Sequence, residues 1–190
     1  MPDQADDREL MIRAAAGDRP AFAALVDRYG GRVFHLARAL VRDDATAEDV
    51  LQDTFLAAWR TAASYRGDGA VASWLYAIAR HAAHRRARRA DQIATDDRSL
   101  EALGAAAGWG QPDVLDVVAR GEDRAQLEAA MAALPDDDRL ALWLHHVLDQ
   151  TFDDTARVLG CSVAAVKSRL HRARLALAAS LRQGGDHVAR

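Results

Sequence analysis

From Thr151 to Arg174 the chain reads TFDDTARVLGCSVAAVKSRLHRAR, and this stretch constrains the fold more than any other. Thr151 is placed to cap a helix, with Asp154 three residues on as an acidic first-turn partner. Phe152, Ala156 and Leu159 follow at helical spacing. Gly160 stands where a helix stop calls for positive φ. Ser162 can cap a second helix, on which Val163, Val166, Leu170, Ala173 and Leu177 share one face at three- and four-residue steps. The opposite face carries Ala164, Ser168, His171 and Arg172, flanked by Ala165, Lys167, Arg169 and Arg174. No acidic residue occurs from Ser162 to Arg174.

Two short helices around a glycine turn, the second apolar on one side and purely basic on the other, form a helix-turn-helix signature. An α-helix fits the major groove of duplex DNA, and cations along it displace counterions from the phosphates. The small residues Ser162, Ala164 and Ala165 let the backbone approach base edges. A merely basic surface helix is the plainer alternative, but it leaves the cap, the turn and the first helix without a purpose.

The remaining sequence is helical in character. Half of it is hydrophobic (50%), aromatic residues are sparse and only four prolines occur. The net charge of −3 does not by itself point to nucleic acid, yet the charges are segregated along the chain. The single cysteine, Cys161, excludes an intramolecular disulfide and fits a reducing compartment. No signal-peptide pattern and no bilayer-length apolar run occurs, so a soluble, cytoplasmic protein without direct membrane insertion is expected.

In chain order, MPDQADD reads as a frayed leader, followed by a helical pattern over Arg8–Ala16 that stops at Gly17-Asp18. Phe22, Val26, Tyr29, Val33, Leu36 and Leu40 predict a long amphipathic helix that tolerates Gly30-Gly31. Asp43-Asp44 break it and Thr46 is expected to cap the next helix. In that helix, TAEDVLQDTFLAAWR, Val50, Leu51, Phe55, Ala58 and Trp59 form the inner stripe. Glu48, Asp49, Gln52 and Asp53 lie on or beside its outer face, where capping and solvation are the default explanation. TAASYRGDG at 61–69 is a polar break expected to be a mobile loop with one aromatic face. SWLYAIARHAAHRRARRA at 73–90 sets Trp74, Leu75, Ile78, Ala79 and Ala82 against the most basic run in the chain, with Arg80, His81, His84, Arg85, Arg86, Arg88 and Arg89. A basic helix with an aromatic at its start suits DNA whose strands are separating; a solvated arginine face is the alternative. His81 and His84 share a helix face, but no third ligand is near, so no metal site is expected.

Around AAAGWGQPD at 105–113 the pattern lapses into a linker, partly helical near Val114–Arg120. Helical spacing resumes with Leu127, Ala130, Met131 and Leu134. Pro135 then opens a helix favoured by Asp136–Asp138 at its positive end and packed through Leu140, Trp143, Leu144 and Val147. After Leu181 the chain is expected to fray, leaving no length for a further sensory domain. The expected fold is all-α: a helical bundle over residues 1–91, a flexible linker over 92–121, and a helix-turn-helix domain with a short tail over 122–190.

Three blocks, AEDVLQDTF, WLYAIAR and VKSRLHRAR, occur in the order and spacing of bacterial RNA polymerase sigma factors, and the chain resembles the extracytoplasmic-function (ECF) group of the sigma-70 family. Ala164-Ala165 stand where that family more often has Gly-Thr, and His81 where it usually has Asn. The resemblance implies that Glu48, Asp49, Gln52 and Asp53 dock on the clamp helices of the largest subunits of core RNA polymerase. It implies that Tyr65, Arg66, Asp68, Trp74, Arg80, His81, His84, Arg85 and Arg88 capture melted DNA of the promoter's −10 element. It assigns the −35 element to Ser162, Ala164, Ala165, Lys167, Ser168, Arg169, His171 and Arg172. The linker would cross the polymerase near the RNA exit path, with Trp109 anchored there or on a neighbouring domain. Implied partners are core polymerase, promoter DNA and an anti-sigma factor; no cofactor and no catalytic residue is implied, since the core enzyme performs the chemistry. A helix-turn-helix repressor is the first rival, but it leaves the basic and acidic helices unused. A sigma-mimicking adaptor is the second, and it should lack a working DNA-reading helix.

Overall fold

Alanine favours the helix and costs no side-chain entropy, and in the computed structural model every described element is helical. The structure describes residues 4–41, 43–67, 69–96 and 122–185. Contacts divide the chain into two units, Met1–Gly108 and Trp109–Arg190.

In the first unit, α1 (Gln4–Ala15), α2 (Arg19–Val41), α3 (Asp44–Thr61) and α4 (Val71–Asp96) pack on one another, with a 3₁₀ turn at Ala62–Ser64. The expected stripe of α2 is buried at Tyr29, Val33 and Leu36, together with Leu25 and a run of alanines. Ala37, Ala47, Val50, Ala82 and Ala83 meet at the junction of α2, α3 and α4, flanked by Phe34, Leu40 and Val41. Phe22 adds edge-to-face contacts with Phe55 and Trp59, at ring-centre distances of 6.2 and 5.0 Å. Tyr76, within the WLYAIAR block, is fully buried.

Several boundaries move from their sequence-based positions. The leader is not frayed through Asp7: α1 begins at Gln4, and Asp7 is buried, accepting hydrogen bonds from Arg28 Nη1 and Tyr29 Oη of α2. Burial and the Asp7 carboxylate push the Tyr29 hydroxyl's pKa upward. The cap of α3 is Asp43 rather than Thr46; its Oδ2 accepts from the Thr46 N–H at 2.8 Å. Helix α4 starts at Val71, with Val71, Ala72 and Ser73 already buried, and runs to Asp96, beyond the expected boundary at 91. Residues 97–121, holding Trp109 and most of the expected linker, lie outside the described residues.

The second unit comprises α5 (Glu122–Ala133), α6 (Asp136–Leu142), a π-helical turn (Trp143–Val147), α7 (Phe152–Leu159) and α8 (Val163–Gly185). Helix α8 packs on α5, α6 and α7 through Val166, Leu170 and Ala173, all buried. It continues to Gly185, past the expected fraying point after Leu181. Arg139, almost wholly buried, donates to the Leu134 carbonyl at 3.1 Å and pairs with Asp136, which closes the α5–α6 connection.

Replacing Asp7 with Ala should destabilise the protein by about 3 kcal/mol, because the Arg28 and Tyr29 donors lose their shared acceptor. Urea unfolding of the two proteins measures this, and a difference under about 0.5 kcal/mol would show that the pairing carries no net stability.

Candidate polymerase and nucleic-acid interfaces

The helix-turn-helix forms as its residues dictate. Thr151 Oγ1 accepts from the Asp154 N–H at 3.1 Å and donates to Asp154 Oδ2 at 2.7 Å. Gly160 takes φ 64°, with Gly160 N donating to Arg157 O and Cys161 N to Ala156 O, the paired bonds of a Schellman stop. No atom lies within 4 Å of a Cβ built on Gly160, so backbone conformation rather than space demands glycine here. Ser162 Oγ accepts from the Ala165 N–H at 3.2 Å and starts α8.

On α8 the residues assigned to −35 DNA fall into two sets. Ser162, Ala164, Lys167, Ser168, His171 and Arg172 are exposed; Ala165 and Arg169 are half-buried. Lys167 Nζ lies 5.4 Å from the centre of the Phe152 ring, which in turn stacks on His145. Arg169 pairs with Asp137 at 2.9 Å and donates to Cys161 Sγ at 3.3 Å. Arg172 donates from Nε and Nη2 to the two oxygens of Asp138, at 3.1 and 2.9 Å, which raises the guanidinium pKa further. The acidic run read as a helix-end device therefore also holds two cations of α8. A spacing of 34 residues between Asp138 and Arg172 leaves no trace in local periodicity.

On α3, Glu48, Asp49 and Gln52 are exposed and Asp53 is half-buried. Arg86 of α4 bridges two of them, reaching Asp49 at 2.6 Å and Asp53 at 2.9 Å. Leu56, 53% exposed, continues the outer face one turn beyond Gln52. Sequence reasoning passed it over; an apolar residue just off the buried stripe was the available signal.

On α4, Trp74, His81, Arg85 and Arg88 recur at seven-, four- and three-residue steps, with His84 beside them; the four basic residues are exposed and Trp74 is half-buried. Arg80 is half-buried, and Arg86 turns to α3 instead. His81 Nδ1 lies 2.7 Å from the Ala77 carbonyl. The segment expected to be a loose loop is folded: Tyr65 Oη donates to Gly69 O at 2.5 Å, and its ring meets Trp74 edge-on at 5.7 Å. Arg66 is exposed; Asp68 lies outside the described residues. Among the described residues no group of three or more His, Cys, Asp or Glu is placed to hold a metal, and no helix is long and apolar enough to cross a membrane.

Two family profiles match, Sigma-70 region 2 over residues 25–93 and Sigma-70, region 4 over residues 124–177. The chain is 38% identical over 172 residues to the ECF RNA polymerase sigma factor SigM of Mycobacterium tuberculosis (strain H37Rv), covering 90% of this chain and 83% of that one. It is 34% identical over 181 residues to the RNA polymerase sigma-H factor of Pseudomonas aeruginosa, covering 92% and 93%. Among solved structures, CnrH in complex with the cytosolic domain of CnrY superposes with a TM-score of 0.69 at 28% identity, over 94% of this chain and 98% of that one. RpoE of Bartonella quintana, solved with the anti-sigma factor NepR, gives a TM-score of 0.67 at 25% identity, over 85% and 96%. An all-α protein whose first unit pairs an acidic with a basic helix and whose second carries a basic helix-turn-helix is the class so defined. The chain belongs to the ECF group of the sigma-70 family of bacterial RNA polymerase sigma factors. These are transcription initiation factors rather than catalysts.

His146 carries a pH dependence in the second unit. Burial, then neighbouring His145 and Arg174, lower its pKa below the ordinary 6.5, and its Nε2 lies 2.9 Å from Arg174 Nη2. The unfolded chain therefore binds the proton more readily, so stability from this group is present above about pH 6.5 and declines as pH falls below it. Unfolding curves at pH 7.5 and 5.5 should converge for His146→Gln relative to the unsubstituted protein; an identical pH response in both would refute the assignment.

Proposed function

We propose that the protein directs promoter recognition by core RNA polymerase through three separate surfaces. The exposed, acid-free outer face of α8, set up by the caps at Thr151 and Ser162 and the Gly160 turn, is the observation that carries the reading. That face reads the −35 element in the major groove, with Lys167, Ser168, His171 and Arg172 outward and Ala164 and Ala165 permitting close approach. The face of α3 bearing Glu48, Asp49, Gln52 and Asp53 docks on the clamp helices of the largest polymerase subunits, with Leu56 adding apolar area at its end. Tyr65, Arg66 and Trp74, with His81, His84, Arg85 and Arg88 of α4, hold the melted −10 strand by stacking and by phosphate contacts. Arg80 of α4 is included in this reading, as is Asp68, which lies outside the described residues. An anti-sigma factor is the regulatory partner, a reading supported by the complexes in which the similar RpoE and CnrH were solved.

Transcription from a genomic-fragment library, with core polymerase in the presence and absence of the protein, tests the reading as a whole. Discrete starts appearing only with the protein are expected; their absence would overturn it. Arg172→Ala should lower −35-dependent transcription about tenfold with core binding unchanged, and an equal loss of core binding would sink the division of roles. Asp49→Arg and Gln52→Ala should weaken competition for core enzyme, by about 1 kcal/mol or more for the charge reversal. Unchanged competition would remove α3 as the docking helix.

A further inference from the structure

We propose that Asp138, on the supporting helix α6, is a positioning residue that sets the −35 discrimination of α8 by fixing the edge Arg172 presents. The inference rests on the reading of α8 as the −35 helix. A guanidinium carries five N–H donors in a rigid planar fork. Asp138 takes the Nε–Nη2 edge with both carboxylate oxygens, at 3.1 and 2.9 Å. The Asp138 side chain is 6% exposed and that of Arg172 60%, so the buried carboxylate grips the guanidinium while most of the arginine stays accessible. The Nη1–Nη2 edge is left for a bidentate contact with a guanine edge or a phosphate. A side chain held in this way loses little further rotamer freedom on binding DNA.

Arg169 provides the contrast. Its two terminal nitrogens are engaged by Asp137 and Cys161, and its side chain is 21% exposed, so it braces α8 against α6 and the turn. Asp138 also cancels one positive charge on the DNA-facing helix, which restrains sequence-independent binding to phosphates. Orientation and restraint together raise specific over non-specific binding. A carboxylate that only stabilised the fold would change both kinds of binding in the same direction.

The test uses the full-length protein with Asp138→Asn, Arg172→Ala and the double substitution. Transcription with core polymerase from a cognate promoter and from one with a substituted −35 element gives discrimination. Binding to a duplex lacking the element, across a salt series, gives the non-specific component. Asp138→Asn should reduce discrimination about tenfold, tighten non-specific binding and steepen its salt dependence by about one unit of slope. In the Arg172→Ala background it should change discrimination no further. Wild-type discrimination in Asp138→Asn, or an equal loss in the Arg172→Ala background, overturns the proposal. If Asp138→Asn melts below the assay temperature, Asp138→Glu serves: displacing the edge by one methylene should lower discrimination without the steeper salt slope, and unchanged discrimination is again fatal. Lys167→Ala and His171→Ala separate this from the reading beneath it. Loss of discrimination in these two, with none in Arg172→Ala, overturns the role of Asp138 alone; no effect from any α8 substitution removes the −35 reading with it.

Discussion

At the junction of α2, α3 and α4, Ala37, Ala47, Val50, Ala82 and Ala83 are all essentially without solvent exposure. None is larger than valine, so three helix backbones can approach closely there, and close packing leaves little freedom to rotate any of them. The outward faces of α3 and α4 are fixed as a result. The acidic surface with Gln52 and Leu56 and the basic surface with His81, Arg85 and Arg88 are the backs of two helices whose fronts share one alanine seam. A bulkier side chain at Ala47 or Ala82 would have to move a helix carrying one of those surfaces.

Ion pairs refine what the seam establishes. Arg86 ties α4 to Asp49 and Asp53 of α3, Arg38 ties α2 to Asp44 at 2.7 Å, and Arg172 and Arg169 tie α8 to α6. Where the pair is exposed, as in Arg86–Asp49, it adds little net stability and its consequence is orientation. In both units an arginine of a basic helix is held by a carboxylate of a neighbouring helix: Arg86 in the first, Arg169 and Arg172 in the second. Asp138 is the extreme member, because it is buried and gives both carboxylate oxygens to Arg172.

Much of the local architecture was legible in the sequence. The Thr151 cap, the Gly160 stop, the Ser162 cap and the buried face of α8 follow from short-range rules, since each depends on residues at most a few positions apart. The same rules misplaced the start of α3, because Asp43 and Thr46 are both competent caps and only backbone geometry selects Asp43. They also misread MPDQADD, whose polarity suggested fraying while Asp7 found its partners on another helix. The 61–69 segment looked loose for a similar reason; the Tyr65–Gly69 hydrogen bond and the Tyr65–Trp74 contact were hidden in its polarity.

By itself, the sequence determined the all-helical class, the helix-turn-helix unit, the segregation of acidic and basic helices, and through its three blocks the family. These are properties of composition, periodicity and short spacing. Tertiary structure alone decided which charges face outward and which are held. Arg86 is indistinguishable from Arg85 in the run HRRARR, yet it turns to α3 while Arg85 is exposed. Arg169 and Arg172 are neighbours in VKSRLHRAR, yet one braces the fold and the other stands accessible. The reason is that their carboxylate partners lie more than thirty positions away, at a distance in the chain that only packing closes.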